Sequence, residues 1–414
     1  MGEGMDDVRI RRPVLALLRR LGRTGTWTIA AALAGVTAVG CASQAERPQA
    51  ESLQAPPGFR VEVFAEGLHG PRWLSFGPDG RLYVSLPREG RVVALPDADA
   101  DGRADRVETV VDELGGPHGL AWKGDTLWVS ESTRILRLRY RPGGPEARAF
   151  EIVVDGLTDG AGHSTRTILF DPSGEFLYVA VGSSCNLCEE TDPRRGTVLR
   201  FRADGSQEEV FARGLRNAVG LAFHPTTRAL WATVNERDWL GDDLPPDELD
   251  IVRKGSDHGW PYCYGDRVAN PEYASAYRCA DVVPPALAFP AHSAPLGIAF
   301  YTDSAFPEAY RGDAFVAFHG SWNRSTATGY KLVHVEVEDG APLRVHDFVS
   351  GWLTPDGRVW GRPVDVRMGS DGALYVSDDR GGRIWRITHG PARAGRAETA
   401  ESQGGVEAGP FTRR

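Results

Sequence analysis

A turn followed by a short apolar strand recurs six times along this chain, and this repeat restricts the possible folds more than any other feature. Each copy follows a short alternating strand, and most copies precede a further strand and an apolar stretch ending near Gly-Leu. The sequence therefore predicts an all-β fold, a six-bladed β-propeller of four-stranded antiparallel blades. The six copies are GPDGRLYVS (77–85), KGDTLWVSE (123–131), DPSGEFLYVAVGS (171–183), HPTTRALWATVNE (224–236), YRGDAFVAFHG (310–320) and GSDGALYVSDD (369–379).

One apolar segment, VEVFAEGL (61–68), precedes the first complete repeat and has no blade of its own. We expect it to form the outer strand of the sixth blade beside GRIWRITH (382–389), which would close the ring and cover its free strand edges. The 49 Gly, 28 Pro and 11 Trp fit short strands and tight turns. No stretch shows a sustained helical period, which excludes a helical solenoid.

The N-terminal 40 residues have the pattern of an export signal. Six Arg in 1–23 precede an uncharged stretch, 27–40, whose small last residues stand directly before Cys41. This arrangement resembles a bacterial lipobox, so we expect residues 1–40 to be a lipoprotein signal peptide and Cys41 to be lipidated. A plain signal peptide with an incidental Cys is the alternative. The predicted location is the periplasm or cell envelope, with membrane attachment only through Cys41.

Composition also assigns the remaining segments. Residues 41–56 are polar and are predicted to be a flexible tether, residues 57–390 form the propeller, and residues 391–414 are predicted to be a disordered tail. The formal net charge of −9 argues against a nucleic-acid partner.

Four Cys follow Cys41, and an even number in an exported chain predicts two disulfides. The simplest pairing joins Cys185 to Cys188 and Cys263 to Cys279. A CxxC pair also suggests a zinc or redox site. Zinc would need a second close Cys pair, and a thioredoxin-like site would need a βαβ context.

The repeat spacing of about 50 residues is interrupted once, by a surplus at 237–290 that we interpret as an inserted functional loop. Seven carboxylates lie within residues 235–250 of this region. Oxygen-rich loops bent by Gly and Pro suit Ca²⁺. A solvated acidic loop is the alternative interpretation.

The segments that lead into the innermost strands of the predicted blades are rich in His and Arg. Because these segments meet at one mouth of the central channel, the repeated Arg predicts an anionic, carboxylate-bearing ligand there. Capping of a backbone carbonyl is the alternative role for any single one of them. The residues are His69, Arg72, His118, His163, Arg166, Arg216 and Arg362.

Several long motifs in this chain resemble the glucose/sorbosone dehydrogenase family, the soluble propeller quinoproteins that use pyrroloquinoline quinone (PQQ). The resemblance covers about residues 57–390, and residues 318–333 and 361–379 look closest to the sorbosone-dehydrogenase-like branch. It implies oxidation of a sugar or sugar-derived hydroxyl or aldehyde-hydrate group, by hydride transfer to a Ca²⁺-bound quinone, with an external electron acceptor. The matching motifs are GHSTRTILFDPSGEFLYVAVGSSCNLC (162–188), GLRNAVGLAFHP (214–225), NERDWLGDDLPPDELDIV (235–252) and GSDHGWPYCYG (255–265).

The resemblance also implies residue roles. His163 looks like the catalytic base, and Arg216 and Asn217 look like the pair that contacts the quinone oxygens. The backbone carbonyls of Arg237 and Asp238 look like Ca²⁺ ligands beside PQQ, and Asp247 and Glu248 resemble ligands of a second, structural Ca²⁺. The further residues expected to bind the cofactor are Arg72, His118, Arg324 and Arg362.

One departure from the family bears on the substrate. Gly162 precedes His163 where glucose-oxidising members have an acidic residue, so glucose is not the expected substrate. Two other functions compete with the dehydrogenase: a Ca²⁺-dependent, lactonase-like propeller hydrolase, which would want carboxylate and Asn ligands in the channel, and a non-catalytic binding propeller at the cell surface.

Overall fold

The structure is a computed structural model that describes residues 53–139, 149–158, 162–274 and 278–390. The predicted signal peptide, Cys41, most of the predicted tether and the predicted tail lie outside these residues. Within them, no helix has the length and apolar character needed to cross a membrane.

In the part of the chain that the structure describes, twenty-four strands form six separate four-stranded antiparallel sheets, and two short strands form an additional hairpin. The sheets are the six blades of a β-propeller, as predicted. In order from the inner strand outward, blade 1 contains β2 (Leu74–Phe76), β3 (Leu82–Leu86), β4 (Arg91–Leu95) and β5 (Glu108–Val111). Blade 2 contains β6 (Leu120–Lys123), β7 (Thr126–Ser130), β8 (Ile135–Arg139) and β9 (Glu151–Val154). Blade 3 contains β10 (Ile168–Phe170), β11 (Phe176–Val181), β12 (Thr197–Arg202) and β13 (Glu209–Arg213).

The second half of the ring repeats this order. Blade 4 contains β14 (Ala218–Phe223), β15 (Leu230–Val234), β16 (Asp247–Val252) and β19 (Leu287–Phe289). Blade 5 contains β20 (Pro295–Phe300), β21 (Ala314–Phe318), β22 (Lys331–Glu338) and β23 (Ala341–Val349). Blade 6 contains β24 (Pro363–Met368), β25 (Leu374–Asp378), β26 (Arg383–His389) and β1 (Phe59–Glu66). The additional hairpin is β17 (Cys263–Tyr264) and β18 (Val268–Ala269).

The ring is closed by the N-terminal strand, as the sequence predicts. β1 pairs antiparallel with β26, with Phe59 opposite His389 and Glu66 opposite Arg383. The sixth blade therefore combines the two ends of the propeller, and β26 is not left as an open edge.

Hydrophobic burial is concentrated between the blades. In the described residues, five clusters of buried apolar side chains each join two neighbouring blades, and a sixth, between blades 1 and 2, also includes Val219, Leu296 and Val364 from the inner strands of blades 4, 5 and 6. The cluster between blades 5 and 6, for example, packs Phe315 and Tyr301 of one blade and its loops with Trp385 of the next, and all three are fully buried. Each blade thus has apolar residues on both faces and is stabilised by both neighbours.

A short hydroxyl side chain near the end of the second strand connects neighbouring blades around the channel. Thr233 Oγ1 accepts a hydrogen bond from Gly220 N at 2.8 Å and donates to Leu296 O of the next blade at 2.6 Å. Ser377 Oγ likewise accepts from Asp365 N and donates to Arg72 O. These bonds fix the inner strands of adjacent blades relative to one another.

Two predicted boundaries need correction. The segment interpreted as one insertion at 237–290 contains two ordinary strands of blade 4, β16 and β19, so the true excursion between them is 253–286. The acidic residues of DELDIV (247–252) favour a solvent-exposed loop in the sequence, but in the structure this segment is β16 and its acidic residues are buried. At the other end, Leu53 and Gln54 belong to the propeller rather than to the tether: Leu53 is buried, and Gln54 pairs with Ser350.

Both predicted disulfides are present, Cys185–Cys188 and Cys263–Cys279. The CxxC pair is therefore not arranged as a zinc-binding dithiol. The second disulfide belongs to the 253–286 excursion, where its two Cys pack with Val282 in a small separate cluster.

The inter-blade hydroxyl predicts a measurable stability loss. Thr233→Val keeps the side-chain shape but leaves the buried Gly220 N–H and Leu296 carbonyl without this partner. We expect a decrease of about 2–4 kcal/mol in the free energy of unfolding, measured by urea denaturation. The control, Thr126→Val, changes a partly exposed strand residue and should cost much less. Equal stabilities for the two variants would contradict this role for Thr233.

Candidate active site

A cavity of about 450 Å³ opens at one end of the channel. It is bordered by the loops that lead into inner strands and by the loops that leave the second strands. Its lining includes Arg72, His163, Arg216, Asn217, Asn235, Glu236, Asp238, Asp247, His292, His319, Trp322, Asn323 and Arg362. Five of the six blades or their loops contribute, so the closed ring is needed to assemble this site.

His163 has one ring nitrogen engaged by the protein. Nδ1 lies 2.9 Å from Ser183 O and 3.0 Å from Ser183 Oγ. Because a carbonyl can only accept, the bond to Ser183 O places the proton on Nδ1 and leaves Nε2 with a lone pair. Burial, followed by the nearby charge of Arg216, lowers the pKa of His163 to about 4. The imidazole is therefore neutral near pH 7 and can accept a proton.

Arg216 is buried and held by four hydrogen bonds to the protein. Its Nη1 donates to Asn235 O at 3.1 Å and to Glu236 O at 2.7 Å. Its Nε and Nη2 donate to Asn186 O and Oδ1, at 3.0 and 2.9 Å. This leaves one Nη2 proton of the five guanidinium N–H groups outside these bonds. Arg216 also forms a 3.6 Å ion pair with Asp238.

Two glycines allow the backbone to bring His163 and Asn217 together. A Cβ on Gly182 would lie 2.4 Å from Asn217 Oδ1 and 2.7 Å from His163 Cβ. Gly162 has φ +65°, and a Cβ there would lie 2.4 Å from Ser184 Cα. An acidic side chain at position 162 would therefore be strained and sterically blocked in this chain.

Asn217 has a polar atom that is not satisfied within the protein. The residue is 8% exposed, and its Oδ1 is buried without a hydrogen-bond partner. Buried polar atoms are normally paired, so this oxygen marks a position at which a bound group could donate a hydrogen bond.

A half-buried ionic network joins Arg72 and His319, which line the cavity, to Asp379. Asp379 accepts from Arg72 at 2.8 Å and lies 3.1 Å from His319 Nε2. Although burial alone would raise it, the bond to His319 and the charge of Arg72 hold the pKa of Asp379 far below its usual range. Arg362 donates to the carbonyl oxygens of His319 and Gly320 and lies over the Tyr330 ring.

Four acidic side chains are buried beside and beneath the cavity: Glu236, Asp247, Glu248 and Asp250. Burial raises the pKa of Glu236 to about 8 and that of Asp247 to about 6. Burial and the neighbouring Asp250 charge raise the pKa of Glu248 well above its usual value. These carboxyl groups have few hydrogen-bond or ion-pair partners, so burial destabilises their charged forms. A bound cation would reduce that destabilisation.

The hydrogen bonds of these carboxyls differ. Asp247 accepts from two backbone amides, Glu236 N and Ala294 N, both at 2.9 Å. Glu248 accepts from Gly265 N at 2.8 Å, and Asp250 Oδ1 lies 3.3 Å from His258 Nδ1. Asp247 is therefore the best satisfied of the four.

Some of the predicted site residues line the cavity, and others lie outside its lining. His163, Arg216, Asn217, Arg72, Arg362, Asp238 and Asp247 line the cavity together. Glu248 lies behind it, in β16. Of the other His and Arg in the loops leading inward, His69 is exposed beside Glu89, and Arg166 is fully buried with its guanidinium on His163 O and Thr165 O.

Two predicted cofactor ligands, Arg324 and His118, lie outside this cavity lining. The Ca²⁺ ligands predicted at 237–238 are backbone carbonyls: the Asp238 carbonyl accepts from Asn186 Nδ2 at 3.1 Å, and the Arg237 side chain pairs with Glu272 at 2.7 Å. Arg324 binds Asp242 O and Asp243, outside the cavity lining. His118 lies in an adjacent cavity of about 340 Å³ and stacks on Trp73.

Sequence reasoning missed Glu236, His319 and Asp379 as a group. Each directly follows, within two residues, the second strand of its blade, and in an antiparallel hairpin that end lies beside the start of the inner strand. The same rule identifies Ser183 and Asn235. The position within each repeat therefore also predicts these residues, because the segments that leave the second strands lie beside those that lead into the inner strands.

The propeller fold and a cavity lined by Arg72, Arg216 and Arg362 together favour a protein that holds a small anionic molecule at this end of the channel. Comparison with known proteins makes this specific. The family model described as Glucose / Sorbosone dehydrogenase matches residues 68–386. The chain belongs to this family, and the prediction that it is an oxidoreductase is confirmed at that level.

Individual relatives agree. The chain is 26% identical over 391 residues to the aldose sugar dehydrogenase YliI of Escherichia coli, covering 81% of this chain and 94% of that one. It is 25% identical over 391 residues to the pyrroloquinoline quinone-dependent sugar dehydrogenase of Hypocrea jecorina, covering 80% and 88%. The holo PQQ domain of pyranose dehydrogenase from Coprinopsis cinerea shares the fold, with a TM-score of 0.69, 23% identity, and coverage of 83% and 98%.

The geometry predicts that Arg216 contributes, after burial, to the lowered pKa of His163. Arg216→Gln removes a nearby positive charge, so the pKa of His163 should rise from about 4 towards 6.5. The change can be followed by NMR titration of the imidazole. Arg194→Gln, which removes a partly exposed Arg paired with Asp192, is the control and should leave this pKa unchanged. Identical His163 titrations in the wild type and Arg216→Gln would refute the coupling.

Proposed function

We propose that this protein is a PQQ-dependent dehydrogenase that oxidises a hydroxyl or aldehyde-hydrate group of a sugar-like substrate. The observation on which the proposal chiefly rests is that His163, with Nε2 free to accept a proton, lines the same cavity as Arg216 and Asn217. The names of the relatives support both the cofactor and the substrate class. Family membership favours this function over the propeller hydrolase and the non-catalytic binding propeller.

The residues present fit PQQ, a tricarboxylate. Arg72, Arg216 and Arg362 line the cavity, and guanidinium groups bind carboxylates well. The unpartnered Asn217 Oδ1 offers an additional polar contact. When bound, PQQ would supply an o-quinone that accepts two electrons as a hydride.

The protein's own contribution is proton transfer and electrostatics. His163 Nε2 takes the proton of the substrate hydroxyl while Nδ1–H stays bonded to Ser183, so the ring keeps its orientation. The Arg216 guanidinium, fixed by Asn186 and two carbonyls, stabilises negative charge that develops on an oxygen at the cavity wall. Trp322, exposed at the mouth, offers a flat apolar surface for a sugar ring.

We include Ca²⁺ in the proposal, because the buried carboxyls suit a hard cation with oxygen ligands. Glu248, whose carboxyl interacts electrostatically with those of Asp250 and Glu236, is the candidate side-chain ligand and would hold the ion together with nearby backbone carbonyls. When bound, the ion would neutralise buried charge and polarise oxygen atoms near it. The sorbosone-like branch and an external electron acceptor also remain part of the proposal.

Export is a further part of the proposal, with Cys41 as the lipid anchor and the periplasm or cell envelope as the location. Two disulfides support it, because disulfides persist in oxidising compartments.

The central experiment uses His163→Ala. The variant should still bind PQQ but lose turnover of aldoses by about 10² to 10⁴-fold, the usual contribution of a positioned base. Turnover is measured with an artificial electron acceptor after loading with PQQ and Ca²⁺. His69→Ala is the control, because this His is exposed outside the cavity lining. Normal turnover by His163→Ala would overturn the proposed role.

Ca²⁺ should raise the melting temperature, because an ion bound only by the folded chain adds its binding free energy to stability. Glu248→Gln removes one buried charge, so it should be at least as stable as the wild type in EDTA and gain little from Ca²⁺. Melting curves of both proteins with EDTA and with Ca²⁺ measure this. The same Ca²⁺ gain in both proteins would exclude Glu248 from the metal site.

A further inference from the structure

The short loop 183–188, closed by the Cys185–Cys188 disulfide, contacts both residues that the proposed reaction uses. At its start, Ser183 binds His163 Nδ1 through its carbonyl and its hydroxyl. The same hydroxyl donates to Cys185 O at 2.7 Å, within the disulfide loop. The orientation of the imidazole is therefore connected to the shape of this loop.

Asn186, inside the disulfide ring, contacts the other functional side chain. Its carbonyl accepts from Arg216 Nε at 3.0 Å, and its Oδ1 accepts from Arg216 Nη2 at 2.9 Å. Oδ1 also accepts from Asp238 N at 2.8 Å, and Nδ2 donates to Asp238 O at 3.1 Å. One residue thus binds two N–H groups on one edge of the guanidinium and both polar backbone groups of Asp238.

These contacts determine where the guanidinium of Arg216 points. Two of its five N–H groups are used by Asn186, and two more by Asn235 O and Glu236 O. The direction of the remaining N–H is fixed because the fork is planar. Without Asn186, the remaining hydrogen bonds would be those from Nη1 to the two carbonyls, and the 3.6 Å ion pair with Asp238 would restrict rotation of the group less than direct hydrogen bonds do.

The loop is also attached outside the disulfide. Ser184 donates through its N and its Oγ to Glu190, at 2.6 and 2.7 Å. The disulfide between these anchors restricts the backbone of Asn186, which has to present its carbonyl and its side chain to Arg216 at the same time.

We propose that Asn186 is a positioning residue that holds Arg216 and the Asp238 backbone in their working arrangement, and that the Cys185–Cys188 disulfide keeps Asn186 in place. This inference rests on the proposed function for its effect on turnover, but the arrangement itself belongs to the protein without cofactor. It assigns a role in the reaction to a disulfide that the sequence predicts only as a structural bridge.

The test compares substitutions of Asn186 with removal of each disulfide. Asn186→Ala deletes the side-chain contacts, and Asn186→Asp keeps oxygen acceptors for Arg216 and Asp238 N. The double variant Cys185→Ser/Cys188→Ser opens the loop. The matched control, Cys263→Ser/Cys279→Ser, removes the other disulfide, which spans 16 residues rather than 3 and should cost more global stability.

Two measurements decide the outcome. In protein saturated with PQQ, Asn186→Ala and the Cys185/Cys188 variant should lose about 10-fold or more in kcat with little change in KM for the sugar. Asn186→Asp should recover part of the loss, and the Cys263/Cys279 variant should keep wild-type kcat despite a lower melting temperature. In cofactor-free protein, NMR should show that the Arg216 Nε–H exchanges slowly with water in the wild type and the control, and faster in the Cys185/Cys188 variant.

The two readouts separate this inference from the proposed function. If the wild type turns over sugar and the Asn186 and Cys185/Cys188 variants match it, the positioning role is wrong and the dehydrogenase assignment stands. If the wild type shows no turnover, the proposed function fails, and Arg216 Nε–H exchange alone decides whether the disulfide loop positions the guanidinium. Unchanged exchange in the opened loop would overturn the inference in either case.

Discussion

Close approach of neighbouring inner strands around the channel is the constraint on which the rest of the structure depends. The hydroxyls of Thr233 and Ser377 each bridge an inner-strand amide of their own blade and a carbonyl of the next blade. Glycine makes the approach possible: a Cβ on Gly220 would lie 2.1 Å from Leu296 O, and one on Gly297 would lie 2.1 Å from Asp365 Oδ1. Small residues on inner strands and hydroxyls on second strands therefore set the diameter of the ring.

The candidate site follows from that geometry. Because the inner strands are held close together, the loops that lead into them bring Arg72, Arg216 and Arg362 to one cavity. The same packing removes water from His163 and Arg216, which lowers the pKa of the imidazole and strengthens electrostatic interactions in the pocket. The site is therefore rigid and charged before any ligand binds, as electrostatic catalysis requires.

Much of the fold could be predicted from the sequence because each blade repeats the same turn and strand pattern. The closing strand β1 was predictable because VEVFAEGL had no partner in its own repeat. Strand β16 could not be predicted in this way. Its acidic residues resemble those of a solvated loop, and only the tertiary structure shows that they are buried. The cavity residues found from sequence, such as His163 and Arg216, stand at fixed places in the repeat.

The errors at the site have a different cause. The resemblance implies Arg324 as a cofactor ligand, but its guanidinium binds the carbonyl oxygen of Asp242, 82 positions away in the chain. The direction of a long Arg side chain depends on the residue that it binds, and the local spacing of residues in the sequence does not identify a partner so distant in the chain. Asn186 was overlooked for a similar reason, since its contacts with Arg216 and Asp238 span 30 and 52 residues.

The proposed function requires that the cavity formed by the inward-leading loops is a single PQQ site. Its most direct test is a titration of the cofactor-free protein with PQQ in the presence of Ca²⁺, followed by quenching of tryptophan fluorescence. We expect saturable binding of one PQQ per chain, and clearly weaker binding by Arg216→Gln and by Arg362→Gln. PQQ binding that does not saturate, or that is as tight in both variants as in the wild type, would contradict a single site in this cavity.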